Sequence, residues 1–324
     1  MATRTTSSDQ LNQKIGSLLT QCSKPLILSH TRPDGDAIGS VIGLYLALLK
    51  KGKKPQMVLI DGVPRKFNFL HGTDQINRNI KNDFDLVIVV DCADKKRVAY
   101  PSELPDIQLN IDHHITNELY AETNLVIPEQ PATAAILAEY LPLWGIDIDK
   151  NAASALLMGM ITDTIGFRTS NVTPNFLRLA AYLMEKGADL SETYQEALTS
   201  QTLSASIIWG YALSRIKSEG NLAWTTITLE DRLNASYHGN DDADLTNHLS
   251  SLENMDVEVL FNEQKDGKVK VSWRSNAKYD VSRLAMQFGG GGHPPAAGAE
   301  LGGNLETVVP LVVGETKKFM QGKI

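Results

Sequence analysis

Residues 26–40 read LILSHTRPDGDAIGS and decide the fold of this chain. The apolar run at residues 26–28 has the length of a buried strand, which ends at His30. The proline and glycine that follow predict a loop, and apolar residues at helical spacing predict a helix over residues 37–51. A strand, a loop and a helix in this order are typical of an open α/β sheet, which binds ligands at the carboxyl edge of its strands.

His30, Asp34 and Asp36 place an imidazole and two carboxylates in this loop. Imidazole and carboxylate groups are ligands for divalent metals, so their close spacing predicts a metal site at the strand end. The alternative is a solvated turn in which an aspartate only caps the helix. The later segments of the chain decide between these two interpretations.

The composition is that of an ordinary soluble globular protein. The chain has 324 residues, of which 42% are hydrophobic and 21% are charged, so it is long enough for two domains. Its formal net charge of -7 argues against a broad basic surface for long duplex nucleic acid. A local basic cleft for a short anionic substrate is still compatible with this charge.

The two cysteines, Cys22 and Cys92, form neither a CxxC pair nor a disulfide framework, which favours a reducing cytoplasm. Cys92 follows Asp91, but no basic partner is evident, so we interpret it as a buried hydrophobe rather than a nucleophile. The longest apolar run, residues 41–49, is too short to cross a bilayer. The polar N-terminus lacks the apolar core of a signal peptide. We therefore expect a cytoplasmic protein with no membrane partner.

Two further apolar runs end in polar groups. Residues 86–90, LVIVV, predict a strand covered on both faces of a parallel sheet, and Asp91 follows it. Residues 107–111 predict the next strand, which runs into Asp-His-His at residues 112–114. A lone histidine is more often structural, but tandem histidines behind an aspartate at a strand end contribute no packing. These groups are therefore expected beside His30 at one edge of the sheet.

A helix supplies the next acidic group. Residues 131–144 and 149–161 are rich in alanine and leucine and predict two helices. The second runs into GMITDT at residues 159–164, so Asp163 falls near a helix end. A cap alone would explain a helix-terminal aspartate. Together with the strand-end groups, however, Asp163 completes a set of histidines and carboxylates from four separated segments.

The pattern changes in the second half of the chain. Residues 1–187 form the predicted α/β domain with a parallel sheet, and the more polar residues 188–219 predict a helical linker. In residues 220–324, Thr-rich and alternating segments predict antiparallel strands with one solvated face. A smaller α+β domain is therefore expected at the C-terminus.

Lys270, Ser272 and Arg274 alternate with apolar residues on a predicted hairpin strand of this domain. A solvated face would explain them. The run GGGGHPPAAG at residues 289–298 favours a binding site instead, because its glycines let a ligand approach the backbone and expose N–H groups as an anion nest. A flexible surface linker is the competing prediction, which the histidine and the Ala-Ala-Gly continuation disfavour.

The motifs HTRPDGDAIGS, VVDCAD, IDHH and GMITDT resemble the four metal-binding motifs of the DHH phosphoesterase superfamily. SWRS and GGGGHPPAAG resemble its associated substrate-binding domain. The motifs span residues 30–298 in the expected order, so the resemblance covers nearly the whole chain. It is nearest to the two-domain branch of oligoribonucleases and pAp (3′-phosphoadenosine 5′-phosphate) phosphatases. It implies hydrolysis of a short nucleotide, which could be nanoRNA, pAp, or a linear or cyclic dinucleotide.

The resemblance implies two divalent metal ions, usually manganese, which imidazole and carboxylate ligands also suit chemically. The implied ligands are His30 and Asp34 for one ion, Asp36, His113 and Asp163 for the other, and Asp91 as the bridge between them. A water activated by both ions would attack the phosphate. His114 would stabilise the developing charge, and Asp112 would orient an imidazole.

The resemblance also implies a group of substrate-binding residues. They are Arg274, Ser272, Ser275, Gly290, Gly291, Gly292, His293 and Arg168. Arginine suits this task because its guanidinium can bind phosphate in a bidentate way. Pro294 and Pro295 replace the polar or basic residues expected in this branch, which removes backbone donors after His293 and leaves the preferred substrate open.

Three alternatives share part of this pattern. An inorganic pyrophosphatase of the same superfamily would have the metal motifs, but pyrophosphate has no base for the C-terminal motifs to bind. A processive RecJ-type exonuclease is disfavoured by the acidic balance and by a chain with no room for a further nucleic-acid-binding domain. A nucleotide-binding regulator without catalysis would be expected to have lost metal ligands. The sequence leaves a homodimer open.

Overall fold

The chain folds into two compact units that divide between Ser200 and Gln201. The computed structural model describes residues 5–80, 83–98, 100, 105–276 and 278–322, and it describes the side chains of these residues except 5–8 and 293. Among the described residues, no helix combines the length and the apolar character needed to cross a membrane.

A six-stranded parallel sheet lies at the centre of the first unit. Its strands are β1 (Pro25–Leu28), β2 (Gln56–Val58), β3 (Ile76–Asn77), β4 (Leu86–Val90), β5 (Leu109–Asp112) and β6 (Thr123–Val126). They lie in the order β3-β2-β1-β4-β5-β6. Every residue of β1, β4 and β5 is buried, because both faces of the sheet are covered. The predicted α/β class with a parallel sheet is confirmed.

Helices cover one face of this sheet. They are α1 (Thr5–Gln21), α2 (Gly35–Lys50), α3 (Thr133–Leu143), α4 (Lys150–Asp163), α5 (Pro174–Glu185) and the short α6 (Leu190–Tyr194). Ile27 and Ile88 pack with buried side chains of these helices. On the other face, Leu28 and Val89 pack with side chains from connecting segments. The strand ends at the carboxyl edge therefore stay available for polar groups.

Glycines allow α2 and α4 to pack closely against each other. A Cβ atom built on Gly39 of α2 would lie 2.4 Å from the carbonyl oxygen of Ala155. A Cβ atom on Gly159 of α4 would lie 2.8 Å from Asp36 Oδ1. Both distances are far shorter than a normal non-bonded contact. The separation of the two helices, and of the polar residues they carry, therefore depends on the absence of side chains at these positions.

The second unit is built on a mixed sheet. Its strands are β7 (Lys217–Glu219), β8 (Leu222–Ile227), β9 (Val257–Glu263), β10 (Lys268–Ser275), β11 (Gly291–His293) and β12 (Ala296–Gly302). They lie in the order β11-β12-β10-β9-β8-β7. The β8–β9 pair is parallel and the other pairs are antiparallel. The α+β class of this unit is confirmed, although its strands are not all antiparallel.

The prediction of one solvated face was wrong for the middle of this sheet. The helices of the unit are α7 (Leu203–Leu213), α8 (Leu229–Asn234), α9 (Leu245–Leu249), α10 (Val281–Gln287) and α11 (Leu305–Met320). Val259 of β9 packs with residues of α10 and α11, whereas its neighbour Leu260 packs with residues of α7 and α9. Alternating hydrophobicity on the flanking strands could not reveal this second layer of helices.

Residues 188–219, predicted as a helical linker, are divided between the two units. Helix α6 and a π-helical turn, Gln195–Thr199, lie in the first unit, and α7 lies in the second. The segment is not helical to its end, because its last residues form β7 at the edge of the second sheet.

Candidate metal centre

Three adjacent strands deliver polar side chains to one edge of the first sheet. Strand β4 pairs with β1 on one side and with β5 on the other. His30 follows β1, Asp91 follows β4, and Asp112 ends β5 immediately before His113. Because parallel strands end at a common edge, these side chains meet there.

Nitrogen and oxygen atoms from these strand ends and from α2 and α4 approach one another closely. His113 Nε2 lies 3.5 Å from Asp163 Oδ2 and 3.6 Å from Asp91 Oδ1. His30 Nε2 lies 3.7 Å from Asp91 Oδ2 and 3.9 Å from Asp34 Oδ2. The potential ligand atoms lie within 4.8 Å of one another in each of three groups: Asp91, His113 and His114; His30, Asp34 and Asp91; and Asp36, His113 and Asp163. Every residue predicted as a metal ligand belongs to one of these groups.

Two histidines of this cluster, His30 and His113, are oriented as metal ligands are. His113 Nδ1 lies 3.3 Å from Gln130 O. His30 Nδ1 lies 2.8 Å from Thr31 O, closer than the 3.2 Å to Arg97 Nη2. We therefore assign the proton of each neutral ring to Nδ1. Nε2 then faces the carboxylates with its lone pair, and this donor set fits a divalent metal ion.

Asp34 has a structural contact as well as a place in the cluster. Its Oδ1 accepts a hydrogen bond from Ala37 N at 3.1 Å and so caps α2. Its Oδ2 faces His30. The interpretation of a capping aspartate is therefore correct for Asp34, but it does not exclude a ligand role, since the second oxygen is directed at the cluster.

Asp36 anchors the start of α3, a contact that sequence analysis missed. Its Oδ2 accepts a hydrogen bond from Thr133 N at 2.6 Å and its Oδ1 accepts one from Ala134 N at 2.9 Å. The residue before α3 supplies no side-chain cap, so Asp36 takes that place from another helix. Thr133 Oγ1 also donates to Asp91 Oδ1 at 3.0 Å. The only sequence signal for Thr133 is its position at the start of a predicted helix.

Asp91 combines a central position with an unusual backbone conformation. Its φ of 54° lies in the left-handed region, which is strained for most side chains. Aspartate and asparagine tolerate this region better than larger residues do. Strained residues that persist in a folded protein are concentrated at functional sites, so the conformation supports a functional role for Asp91.

The carboxylates of this cluster lie close together in a buried environment. Burial and the carboxylates of Asp91 and Asp163 raise the pKa of Asp36 well above its usual range. For Asp91, burial is outweighed by the neighbouring histidines, which lower its pKa. Burial lowers the pKa of His113 and so favours the neutral ring that binds metals. A divalent cation would relieve the repulsion among these carboxylates.

His114 is held by Asp112. Its Nδ1 lies 2.8 Å from Asp112 Oδ1 and 3.8 Å from Asp91 Oδ1. The Asp112 side chain is fully buried, whereas the His114 side chain is 26% exposed. Although burial disfavours the charged ring, the hydrogen bond to Asp112 and the charge of Asp91 raise the pKa of His114 to about 9. The hydrogen bond to Asp112 thus favours the protonated ring, which is suited to bind a phosphate oxygen.

In the second unit, Arg274 and Ser272 lie on the face of β10 opposite the buried Val271 and Trp273, as predicted. Arg274 Nη1 donates a hydrogen bond to Trp273 O at 3.1 Å. Its cross-strand neighbour is Glu258 on β9. Burial raises the pKa of Glu258 to about 7, although the charge of Arg274 acts in the opposite direction. Arg274 thus lies beside a carboxyl group whose ionised form is disfavoured by burial.

The glycine run forms an edge strand rather than the predicted anion nest. Gly291–His293 is β11, which pairs with β12 at the end of the sheet. A Cβ atom on Gly290 or on Gly292 would lie 2.1 or 2.5 Å from a carbonyl oxygen of β12, so strand packing explains these two glycines. A Cβ atom on Gly291 would meet nothing within 4 Å. Among the three glycines predicted to bind substrate, Gly291 is therefore the one whose open side a ligand could approach.

Ser275 and the two prolines stabilise the hairpin that contains this strand. Ser275 Oγ donates a hydrogen bond to Tyr279 O at 2.7 Å, and Ser275 N donates one to Pro295 O at 3.0 Å. Val281 N donates to Pro294 O at 2.9 Å. Pro294 and Pro295 thus supply carbonyl acceptors to the hairpin, and the hydroxyl of Ser275 is engaged by the chain itself.

The other residues predicted to bind substrate are less closely defined. Arg168 is exposed in the turn after α4, where its backbone N–H donates to Thr164 O at 2.8 Å. The side chain of His293 lies outside the described residues. The substrate-binding roles of Arg168, His293, Ser272 and Arg274 stay predictions.

Two alanine substitutions separate strand packing from ligand approach. Gly290→Ala should destabilise the second unit by about 1–3 kcal/mol, because the new methyl group would overlap a carbonyl oxygen of β12. Gly291→Ala should leave Tm unchanged and raise KM for a nucleotide substrate, because its methyl group would occupy the open side of β11. Thermal denaturation and steady-state kinetics of both variants measure these effects. An unchanged KM in Gly291→Ala would remove β11 from the substrate site.

The fold and the site together define a class of protein. A parallel α/β unit gathers, at its carboxyl edge, histidine and aspartate side chains that could hold divalent metals, and a mixed α+β unit follows it in the chain. Residues 24–160 match the DHH family, N-terminal domain, and residues 225–319 match the DHHA1 domain. The chain belongs to the DHH family.

Relatives with known names are similar over most of the chain. The bifunctional oligoribonuclease and PAP phosphatase NrnA of Thermus thermophilus is 34% identical over 86% of this chain and 84% of its own. The protein of the same name from Mycoplasma genitalium is 28% identical over 87% of this chain and 89% of its own. The crystal structure of an exopolyphosphatase-related protein from Bacteroides fragilis superposes with a TM-score of 0.90 at 26% identity, covering 96% of both chains.

Proposed function

We propose that this chain is a metal-dependent phosphoesterase that hydrolyses short nucleotides. The observation that carries the proposal is the assembly of all predicted ligand residues, with His114 beside them, at one sheet edge. The names of the NrnA relatives, oligoribonuclease and PAP phosphatase, point to short oligoribonucleotides and pAp as substrates. We expect manganese rather than magnesium, because the ligands include imidazoles and magnesium prefers oxygen ligands.

In this proposal each of the predicted site residues has a distinct role. His30 and Asp34 would hold one ion, Asp36, His113 and Asp163 would hold the other, and Asp91 would contribute to both. When bound, the ions supply positive charge that neutralises the phosphate and lowers the pKa of a water. His114, held as an imidazolium by Asp112, donates a hydrogen bond to a phosphate oxygen and stabilises the charge that develops there. In the second unit, the guanidinium of Arg274 binds a nucleotide phosphate.

Metal removal combined with a substrate panel tests this function. Protein stripped by a chelator should be inactive, and Mn²⁺ should restore activity more fully than Mg²⁺ on pAp, pApA, cyclic di-AMP or a short RNA ladder. Pyrophosphate is included as a substrate without a base. Full activity in excess chelator would contradict the metal requirement, and hydrolysis of pyrophosphate alone would favour the pyrophosphatase.

An inactive nucleotide-binding regulator is the second candidate, which the complete ligand set disfavours. Nucleotide binding without hydrolysis of any member of the panel would favour it. A homodimer and a cytoplasmic location are also parts of the proposal. Size-exclusion chromatography and cell fractionation measure them independently of activity.

A further inference from the structure

One asparagine ties the loop after β5 to the buried residues behind the metal cluster. Asn117 Oδ1 accepts a hydrogen bond from Leu119 N at 2.7 Å, which closes a turn. Its Nδ2 donates to Asp112 Oδ2 at 2.5 Å and to Asn110 Oδ1 at 2.8 Å. Asp112 and Asn110 are both fully buried. Asn117 therefore links a surface turn directly to a buried carboxylate.

Asp112 divides its two oxygens between the site and this asparagine. Its Oδ1 lies 2.8 Å from His114 Nδ1 and accepts the backbone N–H of His113 at 2.9 Å. Its Oδ2 accepts the Asn117 amide. A carboxylate held at both oxygens cannot rotate without losing a charge-assisted hydrogen bond. The orientation of the His114 ring therefore depends on Asn117 through Asp112.

The same loop also docks onto the segment that carries Asp91. Tyr120 OH donates a hydrogen bond to Cys92 O at 2.8 Å, and Glu118 N donates to Ala93 O at 3.0 Å. These contacts fix the part of the loop that directly follows the asparagine, independently of its side chain. Replacement of the asparagine should therefore disturb the carboxylate it holds more than the path of the loop.

We propose that Asn117 is a positioning residue for the phosphoesterase reaction. It holds the carboxylate of Asp112 so that the ring of His114, bonded through Nδ1, presents Nε2 to the substrate phosphate. The inference rests on the proposed function, in which His114 stabilises charge on that phosphate. Loss of the asparagine should therefore act on catalysis through His114 and leave the metal ligands in place.

Two substitutions separate the roles of this side chain. Asn117→Ala removes its hydrogen bonds, whereas Asn117→Asp keeps an acceptor for Leu119 N and removes the donor to Asp112. Both should lower kcat by roughly 10–100-fold at unchanged metal content, the usual effect of losing a residue that orients a site group. The matched control is Asn124→Ala, because Asn124 lies in β6 and its Nδ2 donates to Ala121 O of the same loop at 2.7 Å. This control should retain wild-type kcat.

A double-mutant cycle with His114→Ala distinguishes a role of Asn117 through His114 from a purely structural role. If Asn117 acts through His114, adding Asn117→Ala to His114→Ala should lower kcat by less than about twofold, because the two residues act as one unit. An equal fold-loss in both backgrounds would overturn the inference. A wild-type kcat in Asn117→Asp would also overturn the inference. This variant alone provides the test if Asn117→Ala does not fold.

Nitrogen-15 NMR of protein with labelled histidines detects the hydrogen bond between His114 Nδ1 and Asp112 without requiring turnover. With Mg²⁺ in place of Mn²⁺, the Nδ1–H of His114 should give a downfield, exchange-protected proton in the wild type and in Asn124→Ala. The signal should disappear in Asn117→Ala and Asn117→Asp, and its persistence in both would overturn the inference. Failure of the whole substrate panel would instead contradict the proposed function, and the NMR result would still decide the inference.

Discussion

Asp91→Asn is expected to abolish turnover, with a loss of roughly 10³-fold or more, corresponding to about 4 kcal/mol of transition-state stabilisation. Asp91 is the only residue proposed to contact both metal ions. Asparagine tolerates the left-handed φ of 54° that Asp91 adopts, so the backbone turn should be retained. The loss should therefore report on the carboxylate charge. Turnover and metal content per chain measure the two effects together, and metal content should fall as well.

Asp94→Asn is the matched control in the same connection. Asp94 Oδ1 accepts a hydrogen bond from Lys96 N at 2.8 Å and caps a short 3₁₀ turn, outside the ligand groups. Its variant should keep near-native turnover and metal content. Two metals per chain and a near-native rate in Asp91→Asn would show that Asp91 is not the bridge.

His114→Ala should lower kcat by a factor on the order of 10² or more, the usual cost of removing a donor that stabilises transition-state charge. Metal content should stay unchanged, because the proposed ligands do not include His114. The physical reason is that its ring is held by a buried carboxylate, which favours the protonated form of the ring. Steady-state kinetics separate kcat from KM, and elemental analysis gives the metal content.

His71→Ala provides a control for the loss of a histidine from the first unit, since His71 is exposed in the connection between β2 and β3. It should leave both kinetic constants unchanged. A large rise in KM for His114→Ala with unchanged kcat would make His114 a substrate anchor rather than a group that acts in the transition state.

The strand ends were the most predictable part of this protein. A short β-branched run such as residues 86–90 has few interpretations other than a buried strand, and Asp91 directly follows it. The same holds for β5 and residues 112–114. Because parallel strands share an edge, local patterns were enough to bring these groups together. The start of α2 and the end of α4 followed from helical spacing in the same way.

Contacts set by distant residues could not be predicted in this way. The capping of α3 by Asp36 joins residues 97 positions apart, and no local pattern encodes such a partner. The burial of β9 on both faces depends on helices elsewhere in the second unit. The glycine run suggested a nest because glycine permits many backbone shapes, whereas the close approach of β12 leaves no room for a side chain at Gly290 and Gly292.

The glycine contact between α2 and α4 has a genetic consequence. Asp36 lies in the first turn of α2 and Asp163 ends α4, so their spacing follows the distance between these helices. A Cβ atom on Gly35 would lie 2.3 Å from Thr162 Oγ1, and Gly39 and Gly159 are equally confined. Substitutions there would push the two helices apart while every ligand stayed in the sequence. The set of positions at which a mutation can inactivate this protein is therefore larger than its set of ligands. A gene with all its metal motifs intact can still encode a chain in which the ligand residues are not brought together.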